Sequence, residues 1–296
     1  MGKSKKPSNK RSNLFSKKQL VIILASALVV VSSVSAALLL QPRSGTTAFP
    51  LTAGIIDQLG EELPNPSFVA NATTILENHG FNVTYNNGTI DVAFYSRLAQ
   101  LNYGIIILRA HAALREDNST VDLFTSEPYN PSAHVGVSGL AEGFLNYSSP
   151  VKTYFAVTSE FIENLQGSFP RSIVIAMGCN TLYSNLTQMA QAFHDKGAEA
   201  FIGWNGYVAD VNTDAETLLM LENLVSNNET IGDSIHGIYD VSYGSTFACY
   251  PQSIQDLRIS DLVPNKSGVS ATVQDVSLFV KISSDTTKKK MKISGN

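Results

Sequence analysis

Cysteine is scarce in this chain. Cys179 and Cys249 are the only two in 296 residues, so at most one disulfide can form. Neither cysteine stands at metal-ligand spacing from any of the five histidines, which argues against a structural zinc site. His79, His134, His194 and His236 read as surface or helix residues. A Gly-X-Ser-X-Gly elbow is missing, as are a phosphate loop and a dinucleotide fingerprint, so serine hydrolase and nucleotide chemistry have no sequence support. Long apolar runs are nearly absent too: only residues 20–40 could span a bilayer, which excludes a polytopic membrane protein. Charged residues make up just 16% of the chain, against 44% hydrophobic, enough apolar material for a core and too much for a disordered chain.

The charge that is present is unevenly placed. Lys3, Lys5, Lys6, Lys10, Arg11, Lys17 and Lys18 precede the apolar run without one acid among them, leaving 14 basic against 25 acidic residues in the rest. By the positive-inside rule the tail 1–19 faces the cytoplasm and the chain beyond about residue 41 lies outside, with 41–50 as a stalk. The apolar run reads as an uncleaved signal anchor. A cleaved signal peptide is the rival, since the small residues at 33–37 suit a peptidase, but 21 residues is long for its apolar segment. An acidic ectodomain excludes nucleic acid as a partner. Eight Asn-X-Ser/Thr sequons follow the anchor, at Asn71, Asn82, Asn87, Asn118, Asn146, Asn185, Asn228 and Asn265, where chance predicts roughly three, as expected of a glycoprotein.

Beyond the stalk, strand and helix signals alternate as in a three-layer α/β sandwich with a mostly parallel sheet. Strands are expected at 53–57 and 81–85, helices at about 67–79 and 92–101, and unbroken apolar runs at 104–109 and 171–177 predict central strands. Residues 121–125 and 152–157 read as an added hairpin, with 131–143 as a loop. Leu186, Met189, Ala190 and Phe193 define a helix closed by Gly197, followed by a strand at 200–203 and helices over 213–226 and 229–239. A last strand is expected at 277–282, before a basic tail at 285–296. The folded ectodomain is thus expected to cover 51–284.

Reactive residues in such a sheet belong just past the carboxyl ends of its strands. His111 follows one central strand and Cys179 the other. A thiol near pH 7 needs help to attack a carbonyl, which His111 and a helix N-terminus near Ser184 could supply. The backbone around Ala112 and Gly178 would provide an oxyanion hole. Two uses of the thiol stay open: a free nucleophile, or a Cys179–Cys249 bridge in a non-catalytic surface binding or scaffold domain, with two unpaired structural thiols as a further case.

An apolar strand ending in His, a second ending in Gly178-Cys179-Asn180-Thr181, then Gly197-Ala198, Phe201-Ile202-Gly203-Trp204 and the Asp-rich stretch 210–214 together resemble the caspase-like cysteine peptidase clan, which includes caspases, legumain, gingipains and separase. The similarity is to its bacterial and archaeal separase-like branch. The resemblance implies a caspase-like sheet and peptide-bond hydrolysis without a cofactor, with His111 as acid/base and Cys179 as nucleophile. It also implies a substrate pocket around Trp204, where Asp210 or Asp214 would favour a basic side chain. One departure is visible: the clan usually has Gly after the His, and this chain has Ala112.

Overall fold

The computed structural model describes residues 48–145 and 150–264. The expected tail, membrane span and most of the stalk lie outside the described residues, as do Asn146, Asn265, the strand at 277–282 and the basic C-terminal tail. Among the described residues no helix is long and apolar enough to cross a membrane.

The chain opens with β1 (Thr52–Asp57), α1 (Pro66–Asn78), β2 (Asn82–Asn86), α2 (Val92–Ser96) and β3 (Ile105–Arg109). A second group of strands follows: β4 (Ala112–Leu114), β5 (Val121–Pro128), β6 (Leu140–Leu145) and β7 (Lys152–Val157). The chain then continues through α3 (Ser159–Glu163), β8 (Ile173–Ala176), α4 (Gln188–Asp195), β9 (Ala200–Trp204), α5 (Asp210–Leu221), α6 (Ile231–Ile235), β10 (Phe247–Tyr250) and α7 (Ile259–Leu262).

Six strands form one sheet in the order β2-β1-β3-β8-β9-β10, parallel throughout except for β10, which runs antiparallel to β9. The fold is therefore mixed α/β with a mostly parallel sheet. Its central strands are apolar on both faces because both are covered. Ile106, Leu108, Val174 and Ala176 pack with α2, α3 and α4, while Ile105, Ile107, Ile173 and Ile175 pack with α1, α5 and α6. α1 shows how local chemistry sets an element: the Asn65 side chain accepts from the Phe68 N–H, Pro66 occupies the first turn, and Phe68, Ala72 and Leu76 supply the buried stripe.

The second sheet is antiparallel, in the order β4-β5-β7-β6. The expected hairpin of 121–125 with 152–157 is its centre, where Leu123 pairs with Val157. The 131–143 loop needs correction, because residues from Leu140 onward form the edge strand β6 against β7. Gly139 and Gly143 hid it from the alternation pattern; a Cβ on Gly143 would lie 2.6 Å from the Phe124 ring. β10 was not expected at all. Of the described sequons, Asn71, Asn82, Asn87, Asn118 and Asn185 are exposed, whereas Asn228 is half-buried and its amide donates to Ser260.

Candidate functional site

The order of the sheet creates a place for chemistry. From β1 the chain moves outward to β2, then returns past β1 to β3 and on to β8, so the direction of winding reverses between β1 and β3. Loops leaving strands on either side of such a reversal diverge and open a crevice at the carboxyl ends. His111 lies two residues beyond β3. Cys179 lies three beyond β8, and the two strands pair directly, Leu108 opposite Ala176.

The two segments touch at Gly178. A Cβ there would fall 2.5 Å from the Ala110 carbonyl oxygen, 2.8 Å from the Ala112 Cβ and 2.9 Å from the Ala112 nitrogen. Ala112 is thus accommodated by the hydrogen of Gly178. Gly178→Ala should push the His111 segment away from the thiol and cost about 1–3 kcal/mol of stability, as overpacking generally does. Chemical denaturation reads the second effect, and a wild-type midpoint would contradict the close packing.

His111 is held from the β1–α1 loop. Gln58 Oε1 accepts the His111 N–H at 2.9 Å, and Glu62 Oε2 lies 3.5 Å from Nε2. Burial pushes the imidazole below its ordinary pKa of 6.5, with Glu62 and Asp210 pulling the other way. The ring is therefore mostly neutral at pH 7, the form that accepts a proton. The lowered value has a consequence for stability. The unfolded chain binds this proton more tightly than the folded one, so His111 removes stability as the pH falls below about 6.5 and stops doing so below the folded pKa. The difference in Tm between wild type and His111→Gln should follow that curve; a difference independent of pH between 5 and 7.5 would refute it.

The Cys179 thiol is partly exposed and donates to the Val208 carbonyl at 3.5 Å. Burial raises its pKa above the ordinary 9.0, and the carboxylates of Asp210 and Asp240 raise it further. Activation by a helix N-terminus near Ser184 is thereby corrected, since α4 begins only at Gln188, nine residues past the thiol, and the thiol is held in its protonated form. The Cys179–Cys249 bridge is corrected as well, because both cysteines are free. Cys249 pairs with Ile202 on β9, and Ile202 with Ile175 on β8, so Cys249 sits two strands over and level with a residue four positions before Cys179. Two strand spacings are roughly 9–10 Å, beyond the reach of a disulfide.

The expected pocket residues separate. Trp204 is fully buried, stacked on Phe247 with ring centroids 4.0 Å apart and its Nε1–H donating to Thr213. It packs the core and does not line a pocket. Asp214 is buried and bound by Arg109 at two oxygens, 2.8 and 2.9 Å, so it cannot receive a substrate cation. Asp210 is exposed at the start of α5 and acts electrostatically on both His111 and Cys179, which puts its charge beside the crevice.

Several residues here escaped the sequence reading: Gln58, Glu62, Arg109 and Asp240. Asp57 and Arg109, charged ends on otherwise apolar strands, were the available signal for part of this group. Asp240, fully buried, joins two loops by accepting from the Ala209, Ser242 and Tyr243 N–H groups and from the Asn212 amide. Those bonds hold its pKa below the ordinary carboxylate value in spite of burial, which acts to raise it. Asn180, next to the thiol, adopts φ 60° and buries an amide that makes no hydrogen bond. A cavity of about 350 Å³ lined by Ser96, Val137, Phe161 and Leu165 includes none of these residues. Among the described residues no three His, Cys, Asp or Glu side chains gather as a metal site. Compared with known proteins, the chain matches no family model, and no curated protein matches it in sequence.

Proposed function

We propose that the chain is a cysteine endopeptidase of caspase-like fold, held to the cell surface by residues 20–40 with its glycosylated ectodomain outside. The observation that carries this reading is the parallel pairing of β3 with β8, which sets His111 and Cys179 at the same edge of adjacent strands. The sheet order, with one antiparallel strand at the end, is consistent with the caspase-like resemblance.

The protonation states suit general-base attack more than a preformed ion pair. With thiol and imidazole both neutral at rest, His111 takes the thiol proton as sulfur bonds to the scissile carbonyl carbon. Negative charge develops on the carbonyl oxygen, and backbone N–H groups around Gly178 and Ala112 serve as its oxyanion hole in this reading. The imidazolium then protonates the leaving amine as the C–N bond breaks. Water, deprotonated by the same imidazole, cleaves the thioester and restores the thiol. Asp210 supplies the negative charge that favours a basic side chain before the cut.

The test uses the full chain in detergent with a fluorogenic peptide library. Cleavage after Lys or Arg, weakened at least tenfold by Asp210→Asn through KM, is expected. No turnover of any peptide under reducing conditions would overturn the peptidase reading. Cleavage unaffected by Asp210→Asn would remove Asp210 from the pocket.

A further inference from the structure

Arg109 is the last residue of β3 and one of the largest side chains buried in the protein, 2% exposed. Its guanidinium bridges three segments. Nε and Nη2 donate to the two oxygens of Asp214 on α5, at 2.8 and 2.9 Å; Nη1 donates to Asp57 at the end of β1, at 2.8 Å; Nη2 also donates to the Leu63 carbonyl, at 2.8 Å. The carboxylates are completed from outside the trio, by the Tyr85 hydroxyl on Asp57 and the Asn65 amide on Asp214, each at 2.9 Å. The backbone adds to the same knot, since the Arg109 carbonyl accepts from Gln58 N–H at 2.9 Å.

What these segments carry gives the cluster its meaning. The β1–α1 loop, fixed at Asp57 and Leu63, bears Gln58 and Glu62, which hold His111. The first turn of α5, fixed through Asp214, bears Asp210, and the residues just before it bear the Val208 carbonyl that receives the thiol. One wall of the crevice orients the imidazole and the other orients the sulfur. We propose that Arg109 is the positioning residue that sets the two walls against each other, so that His111 acts on Cys179. This inference rests on the peptidase reading.

Only a planar fork can do this. A guanidinium meets one carboxylate through two parallel bonds while reaching a second carboxylate and a carbonyl from its other edges. An ammonium keeps the charge but concentrates its donors at one point, so Arg109→Lys retains the electrostatics and loses the geometry.

The test is the pH–rate profile for alkylation of Cys179 by iodoacetamide, followed by mass spectrometry of the full chain. Wild type is expected to show a limb set by His111 below pH 7, which His111→Ala abolishes. Arg109→Lys should reduce that limb at least tenfold, with circular dichroism still native. Asp214→Asn, which keeps the shape and loses one charged acceptor, carries the test if Arg109→Lys fails to fold. Arg171→Lys alters another Arg–carboxylate pair, with Glu199, at the amino end of β8, and should leave the profile unchanged. A wild-type limb in both Arg109→Lys and Asp214→Asn would overturn the positioning role while leaving the peptidase reading intact. Absence of any His111-dependent limb in wild type would overturn both.

Discussion

Cys179→Ser is expected to lower kcat/KM for peptide cleavage by roughly four to six orders of magnitude with little change in stability. The fold should tolerate it, because a serine hydroxyl can make the same donation to the Val208 carbonyl that the thiol makes. The chemistry should not, because a neutral imidazole of lowered basicity is a poor base for a hydroxyl of far higher pKa. His111→Ala should fall nearly as far, and the double variant little further, since residues acting in one step are not additive. Turnover measured for the three variants checks this. Additive losses would mean that the two residues act independently, against the shared crevice.

Arg109→Met should cost about 3–5 kcal/mol of folding free energy, the usual result of removing one partner from a buried ion pair. The native guanidinium faces two buried carboxylates; without it Asp57 and Asp214 repel each other in a place water does not reach. Set against a typical total of about 5–15 kcal/mol, that loss brings the chain close to unfolding at ordinary temperatures. Adding Asp57→Asn and Asp214→Asn to Arg109→Met should recover much of the stability by removing the stranded charges. Urea denaturation reads both steps. A triple variant no more stable than Arg109→Met would show that the cost lies in lost packing rather than in unpaired charge.

The sequence made the central strands legible because burial on both faces leaves an unbroken apolar run, as in Ile105 to Leu108 and Ile173 to Ala176. The placement of His111 and Cys179 just past two of those strands followed from the runs, whereas the order of the strands did not. The short antiparallel edge strand did not show. β10 is four residues, Phe247-Ala248-Cys249-Tyr250, halted by Pro251, and nothing in four residues distinguishes an edge strand from a loop. The site was legible only as far as the residues that follow strands. The resemblance alone put Asp214 in a pocket near Trp204, and nothing local warns that its partner is Arg109, 105 positions earlier. Gln58 and Glu62 reach His111 from a loop whose path depends on that same cluster, so no local pattern announces them. The protonated state of the thiol is equally non-local, since it turns first on burial and then on the carboxylates of Asp210 and Asp240.

If Cys179 is a nucleophile served by His111, it should be open to covalent capture. The full chain would be treated with a peptidyl acyloxymethyl ketone carrying Lys or Arg at the position before the electrophile, then mapped by mass spectrometry. One adduct is expected, on Cys179 and not Cys249, whose formation is slowed by peptide substrate and lost in His111→Ala. Labelling of both thiols at equal rates, or of Cys179 at the same rate in His111→Ala, would contradict it.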